Sequence, residues 1–279
     1  MLVVDNVIVS NDNGGEKAEI LDRVSASFDG GRMYAITGPN GGGKTSLAKL
    51  IMGIYRPSSG KILLDGRDIT DSTITDRAMM GIGYAFQNPV RFRGLRVRNL
   101  LEIAATPGTA GSRASASGAG GKKAVGKAIA APGAGHSEKE NIERFLRVVG
   151  LCPRDYAERE ADGRLSGGEL KRLEIAMMLA RDPRIAIYDE PEAGVDLWTF
   201  ERLLDVITNR QRSKQDAVTI VITHNERFLK AADEILLMSD GRIQEQGGAD
   251  KIWPLIRDDV ACRWRASCGG ELDEAECYR

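Results

Sequence analysis

The octapeptide Gly38-Pro39-Asn40-Gly41-Gly42-Gly43-Lys44-Thr45 has the spacing G-x-x-x-x-G-K-[ST], with the apolar run Met33–Thr37 before it and Ser46-Leu47-Ala48-Lys49-Leu50 after it. Strand, glycine-rich loop and helix in that order make a phosphate cradle. The glycines let successive backbone N–H groups turn inward, and the helix start adds its positive dipole end. Lys44 is expected to reach the β- and γ-phosphates, and the Thr45 hydroxyl to coordinate Mg²⁺. A plain glycine turn would need neither residue. Further along, Asp189 closes an apolar strand, where a second Mg²⁺ ligand is expected, and Glu190 beside it could polarise an attacking water. Gln87 and His224 end two other strands and could reach the γ-phosphate. Alone, Asp189-Glu190 could be an ordinary acidic turn and His224 a structural histidine. With the phosphate loop upstream, the set points to phosphoryl transfer from a nucleotide to water.

Elements must bring these residues together. Residues 2–9 and 18–28 alternate apolar and polar side chains around Asn11-Asp12-Asn13-Gly14-Gly15, which predicts an antiparallel hairpin. Thr73 and Asp76 fit a capping box opening a short helix, and Ser137 with Glu140 fits another. Residues 90–104 read as helical, as do 170–181 and 197–210; 184–188 and 217–222 read as strands. Such alternation predicts an α/β fold with a mainly parallel sheet and functional loops at the strand ends.

Net charge is −1, so no global field recruits nucleic acid or an anionic membrane. No apolar run approaches the roughly 18 to 20 residues that cross a bilayer, and the N-terminus lacks a secretory leader; a cytoplasmic location without direct membrane insertion is expected. Cys152, Cys262, Cys268 and Cys277 are too few for a disulfide framework. The last three, at C-x₅-C-x₈-C, lack a common zinc or cluster spacing and are expected to be unpaired thiols. Residues 105–136 hold ten alanines and eight glycines among 32 positions, with Arg113, Lys122, Lys123 and Lys127 but no acidic residue. That composition predicts a flexible, mildly basic insertion.

In this order the motifs resemble the ATP-binding-cassette (ABC) ATPases over nearly the whole chain. Gly38–Thr45 resembles Walker A, Gln87 the Q-loop, Leu165-Ser166-Gly167-Gly168-Glu169 the signature, Ile185–Asp189 with Glu190 Walker B, Ala193–Asp196 the D-loop and His224 the switch histidine. The resemblance implies an ABC-type P-loop fold in one domain. Residues 1–87 and 182–250 would form the nucleotide core with an antiparallel β subdomain, 88–181 a helical subdomain carrying the insertion, and 251–279 a tail. It also implies ATP and Mg²⁺ as cofactors, with Thr45, Gln87 and Asp189 as metal ligands and Glu190, His224 and Gln87 as catalytic groups. The phosphate loop with Ser46 would bind ATP in one copy. Ser166, Gly167, Gly168, Glu169 and Asp196 would complete the site from a second, head-to-tail copy. Members often stack adenine on an aromatic residue of the first hairpin, and none stands around Val9-Ser10-Asn11.

Within that family the runs Gly83–Phe92, Leu170–Ala176 and Asp189–Trp198 resemble the SufC-like ATPases of SUF iron–sulfur cluster assembly. Transporter ATPases usually carry a small polar residue where Glu192 stands and lack the Leu197-Trp198 pair. This resemblance implies a soluble SufB/SufD-like scaffold as partner, bound through Pro89, Val90, Arg91, Phe92 and Leu95. The alternative is the nucleotide-binding subunit of a membrane transporter, and a third is an ATP-dependent clamp that hardly turns over. Intact Glu190 and His224 speak against the last.

Overall fold

Alternating apolar residues build the first strands, β1 (Leu2–Asp12) and β2 (Lys17–Phe28), which pair antiparallel from Leu2↔Phe28 to Asp12↔Lys17. The computed structural model describes residues 1–12, 17–106, 138–254 and 256. The hairpin tip at 13–15, Ser137 of the second capping box, most of the alanine–glycine insertion and the three tail cysteines lie outside them. Next come β3 (Met33–Thr37), α1 (Lys44–Met52), β4 (Ser59–Leu64), β5 (Arg67–Asp68), α2 (Ile74–Met79), β6 (Ile82–Ala85) and α3 (Val97–Ala105). After the insertion follow α4 (Glu138–Val148), α5 (Pro153–Tyr156), α6 (Gly167–Arg181), β7 (Ile185–Asp189), α7 (Leu197–Arg212), β8 (Val218–Ile222), α8 (Glu226–Ala231), β9 (Glu234–Ser239) and β10 (Arg242–Gly247).

Two sheets result. One is antiparallel, β2-β1-β4-β5; the other runs β10-β9-β3-β8-β7-β6, parallel except for its β9–β10 edge pair. The parallel strands are buried on both faces, as their near-continuous apolar sequences require. Tyr34 and Ile36 of β3 point into a core shared with α1 and the antiparallel sheet, whereas Met33 and Ala35 point into a second core built with α3, α4, α6 and α7. The C-terminal ends of β3, β8, β7 and β6, which lead into the phosphate loop, His224, Asp189-Glu190 and Gln87, therefore stand side by side at one end of the parallel strands.

The Thr73–Asp76 capping box is present and opens α2. Arg77 on the same helix is 1% exposed and donates from Nη1 to Leu50 O and Ile51 O (2.7 and 2.9 Å) and from Nη2 to Ile69 O and Thr70 O (2.9 and 2.8 Å). Its cation serves the carbonyls that the end of α1 leaves without intrahelical partners. The helix expected from residue 90 starts only at Val97. Residues 88–96 form an irregular segment that passes Gly94 (φ 77°) and bonds across the chain, Phe92 N to Ala161 O (2.7 Å) and Val97 N to Arg159 O (2.9 Å). Those long-range bonds use groups that a local helix would have used.

Candidate functional site

Gly38 leaves β3 at φ 134°, and a Cβ there would stand 1.9 Å from Met238 O on β9. Only glycine fits so close an approach with that dihedral angle. The loop ends at Gly43, in the left-handed region, from which α1 starts without a side-chain cap, leaving its first N–H groups facing the loop's concavity. Lys44 is 6% exposed and its Nζ donates to Gly38 O (2.7 Å) and Pro39 O (2.8 Å), so its charge is held across the loop mouth. Burial lowers its pKa, against the pull of Glu190 and Asp189. Asn40, Gly41, Gly42, Gly43, Lys44, Thr45 and Ser46 line a polar cleft of about 440 Å³, which Gln87, Glu190 and His224 complete.

Asp189 ends β7 with no solvent exposure. Thr45 Oγ1 donates to its Oδ1 (3.2 Å) and the Tyr84 hydroxyl to its Oδ2 (2.7 Å). Burial pushes this carboxyl up while both donated bonds pull it back. A hydroxyl and a buried carboxylate are hard oxygen donors, and Mg²⁺ is held by one or two such protein groups with phosphate and water completing its octahedron. The residues fit Mg²⁺, and the described residues contain no cluster of three or more His, Cys, Asp or Glu that would suit a metal held by protein alone. Gln87 Nε2 donates to Glu190 Oε2 (2.9 Å), a bond that leaves the amide oxygen for other partners. Glu190 adopts φ 45°, the left-handed region that costs a residue with a Cβ of order 1–3 kcal/mol, and its N–H donates to Ile222 O (2.9 Å). Desolvation at the cleft wall, reinforced by the Lys44 charge, lowers the pKa of the exposed His224 and favours the neutral imidazole.

The signature lies elsewhere. Ser166 caps α6 in a capping box with Glu169, and Ser166, Gly167 and Gly168 line a second cleft of about 330 Å³ with Arg172, Gly194, Val195, Asp196 and Thr199. Of the residues expected to bind nucleotide from a second copy, Glu169 turns its carboxylate back onto Ser166 N (2.7 Å) and the Tyr156 hydroxyl. Asp196 caps α7 by accepting from Thr199 N (2.9 Å) and Thr199 Oγ1 (2.7 Å). Tyr34 is 1% exposed with its hydroxyl on Asp29 N, so it presents no surface to a base.

Sequence reading missed the groups that tie these parts together. Lys171 on α6 is 1% exposed, and its Nζ donates to Phe86 O (2.5 Å), Asp189 O (3.1 Å) and Gln87 O (3.3 Å). Glu174, one turn on, pairs with it at 3.6 Å and accepts from Phe86 N (2.8 Å). Desolvation pushes the Glu174 carboxyl up to about 7, partly offset by Lys171. The signal was present: two charged residues interrupt the buried face formed by Leu170, Leu173 and Ile175, where charge persists only when paired.

Comparisons with known proteins agree with the geometry. The family model described as "ABC transporter" matches residues 21–193. An ABC transporter ATP-binding protein of Methanocaldococcus jannaschii, MJ0035, is 36% identical over 239 residues, covering 84% of this chain and 85% of the relative. The putative ABC transporter ATP-binding protein PH0132 of Pyrococcus horikoshii is 32% identical over 242 residues, covering 86% and 82%. In fold, the chain is similar to the dimeric ATP-binding cassette MJ0796 bound to ADP and Pi, with TM-score 0.72 and 21% identity over 89% of this chain and 99% of that one. These relatives bear transporter names, which favour the transporter alternative over the SufC-like role. With the phosphate loop and both acidic strand-end residues gathered at the edge of an ABC-type fold, the chain belongs to the ABC transporter family and is an ATPase.

Proposed function

We propose that this chain is the nucleotide-binding subunit of an ABC transporter and hydrolyses ATP between two copies arranged head to tail. The observation that carries this reading is the separation of two half-sites. The phosphate loop, Gln87, Glu190 and His224 share one cleft, whereas the Ser166–Gly168 helix start lines another with no residue in common. Each half lacks what the other supplies, and a second copy turned end to end would close both.

The loop's N–H groups and Lys44 bind phosphate oxygens. Thr45 and Asp189, with Gln87 as a third candidate, would hold Mg²⁺, which when bound would supply neutralising charge to the phosphates. Glu190 takes the proton of the attacking water, with Gln87 fixing its carboxylate, and neutral His224 hydrogen-bonds the γ-phosphate. Coupling would enter through an apolar groove of about 150 Å³ beside the Q-loop, lined by Phe86, Val90, Phe92, Leu170 and Met177. Phe92 is partly buried against the helical core there, while Val90 remains 47% exposed. A transporter reading is supported by the relatives' names; among the described residues no helix is long and apolar enough to cross a membrane.

A second reading, a SufC-like subunit acting on a soluble scaffold, is favoured by two observations. Glu192 is built into the site by a bond from Thr223 Oγ1, and Leu197 and Trp198 are 64% and 83% exposed beside the D-loop as a contact surface. Two measurements test the proposal. Glu190→Gln should retain ATP affinity, lose about 10²-fold or more in turnover and accumulate as an ATP-bound dimer on a sizing column. Near-parental hydrolysis by this variant would refute the mechanism. Tagged chain should be recovered with integral membrane proteins in detergent; recovery with a soluble scaffold alone would select the second reading.

A further inference from the structure

The phenol of Tyr84 makes a contact that the hydrolytic scheme does not use. Tyr84 lies on β6, the edge strand beside β7, in register with Ile187, which places its ring within reach of the carboxylate that ends β7. The side chain is 9% exposed, and its ring meets Phe86 edge to face at 4.6 Å and 70°. Its hydroxyl donates to Asp189 Oδ2 at 2.7 Å, while Thr45 Oγ1 takes Oδ1 at 3.2 Å. Lys171 bonds the main-chain oxygen of Asp189, not the carboxylate. Two donors, one on each oxygen, thus fix the rotation of a carboxylate that has no solvent to hold it.

We propose that Tyr84 is a positioning residue for the metal-binding carboxylate: by occupying Oδ2 it turns Oδ1 toward Thr45 and sets the affinity of the Thr45–Asp189 pair for a divalent cation. This rests on the reading of Asp189 as a metal ligand. A partner that orients a ligating carboxylate from behind commonly controls metal affinity by 10- to 100-fold, because a ligand free to rotate must be reordered each time the ion binds. Tyr84 also lines the apolar groove next to the Q-loop, so one side chain reaches the Asp189 carboxylate through its hydroxyl and the groove through its ring.

Tyr84→Phe keeps the ring and removes only the hydroxyl. Mn²⁺, titrated as a paramagnetic probe into full-length protein carrying ADP, reports metal affinity through the resonance of the free ion, independently of turnover. Tyr84→Phe should weaken Mn²⁺ about 10-fold and leave ADP affinity in EDTA unchanged. Mn²⁺ affinity within twofold of the parent would overturn the proposal, as would an equal loss of ADP affinity in EDTA, which would mark the hydroxyl as general scaffolding. Asp189→Asn separates the two levels. If it weakens Mn²⁺ while Tyr84→Phe does not, the positioning role alone is wrong; if neither weakens it, Asp189 is not a ligand and both readings fall.

Discussion

Replacing Lys171 with Met tests whether the tie between α6 and the catalytic edge is energetic as well as geometric. The substitution keeps volume and apolar stem but removes an ammonium that serves three carbonyls and faces Glu174 at 3.6 Å. Breaking one partner out of a buried pair costs about 3–5 kcal/mol, mostly because the other charge is left uncompensated. The loss is capped here, since Glu174, already held near pH 7, can take up a proton instead. At pH 8 we expect about 4 kcal/mol. Glu174→Gln should cost about 1–2 kcal/mol, since the amide oxygen can still accept from Phe86 N–H. The double variant should cost about 2 kcal/mol less than the sum, a coupling within the range seen for contacting groups. Urea unfolding followed by tryptophan fluorescence and circular dichroism measures all four proteins. Additivity within about 0.5 kcal/mol would refute the coupling, and the four proteins' ATPase rates would show whether Gln87 and Glu190 depend on the tie.

Glu174 also sets a pH dependence. Its folded pKa of about 7 lies above the ordinary 4.5, so between those values the folded chain holds a proton that the unfolded chain releases. The resulting stability is complete below pH 4.5 and is lost as pH rises through 7. The urea midpoint should therefore fall between pH 5 and 8, with a smaller fall in Glu174→Gln; parallel slopes would contradict it. Gly38→Ala should abolish ATP binding or lower the melting temperature, because its Cβ would stand 1.9 Å from Met238 O, and a variant with parental affinity and melting point would show that the loop is less constrained.

Legibility followed sequence distance. The phosphate loop, the Thr73–Asp76 box and the Ser166 helix start are encoded within a few residues, where glycine and capping chemistry act locally, and the structure has all three. Residues 88–96 read as helical because apolar spacing continues through a segment whose backbone pairing runs to Glu160 and Ala161. Short α8, and β10 with polar residues at most positions, carry little apolar periodicity. Tyr84 with Asp189 and Lys171 with Phe86 are 105 and 85 residues apart, and nothing in either neighbourhood announces the other.

The placement of Lys171 gives α6 a mechanical character. At 15 residues the helix is a rod of roughly 22 Å, with the signature at its N-terminal tip and Lys171 one turn behind, bolted to the backbone of Phe86, Gln87 and Asp189. The bolt sits close to the tip and far from the Arg181 end, so the long arm lies on the side of the groove that Met177 and Arg181 line. A load applied at that end would reach the signature only through a helix already fastened at Lys171. Gln87 and the Asp189–Glu190 peptide share that fastening, so the signature helix and the catalytic strand ends are held to one common point.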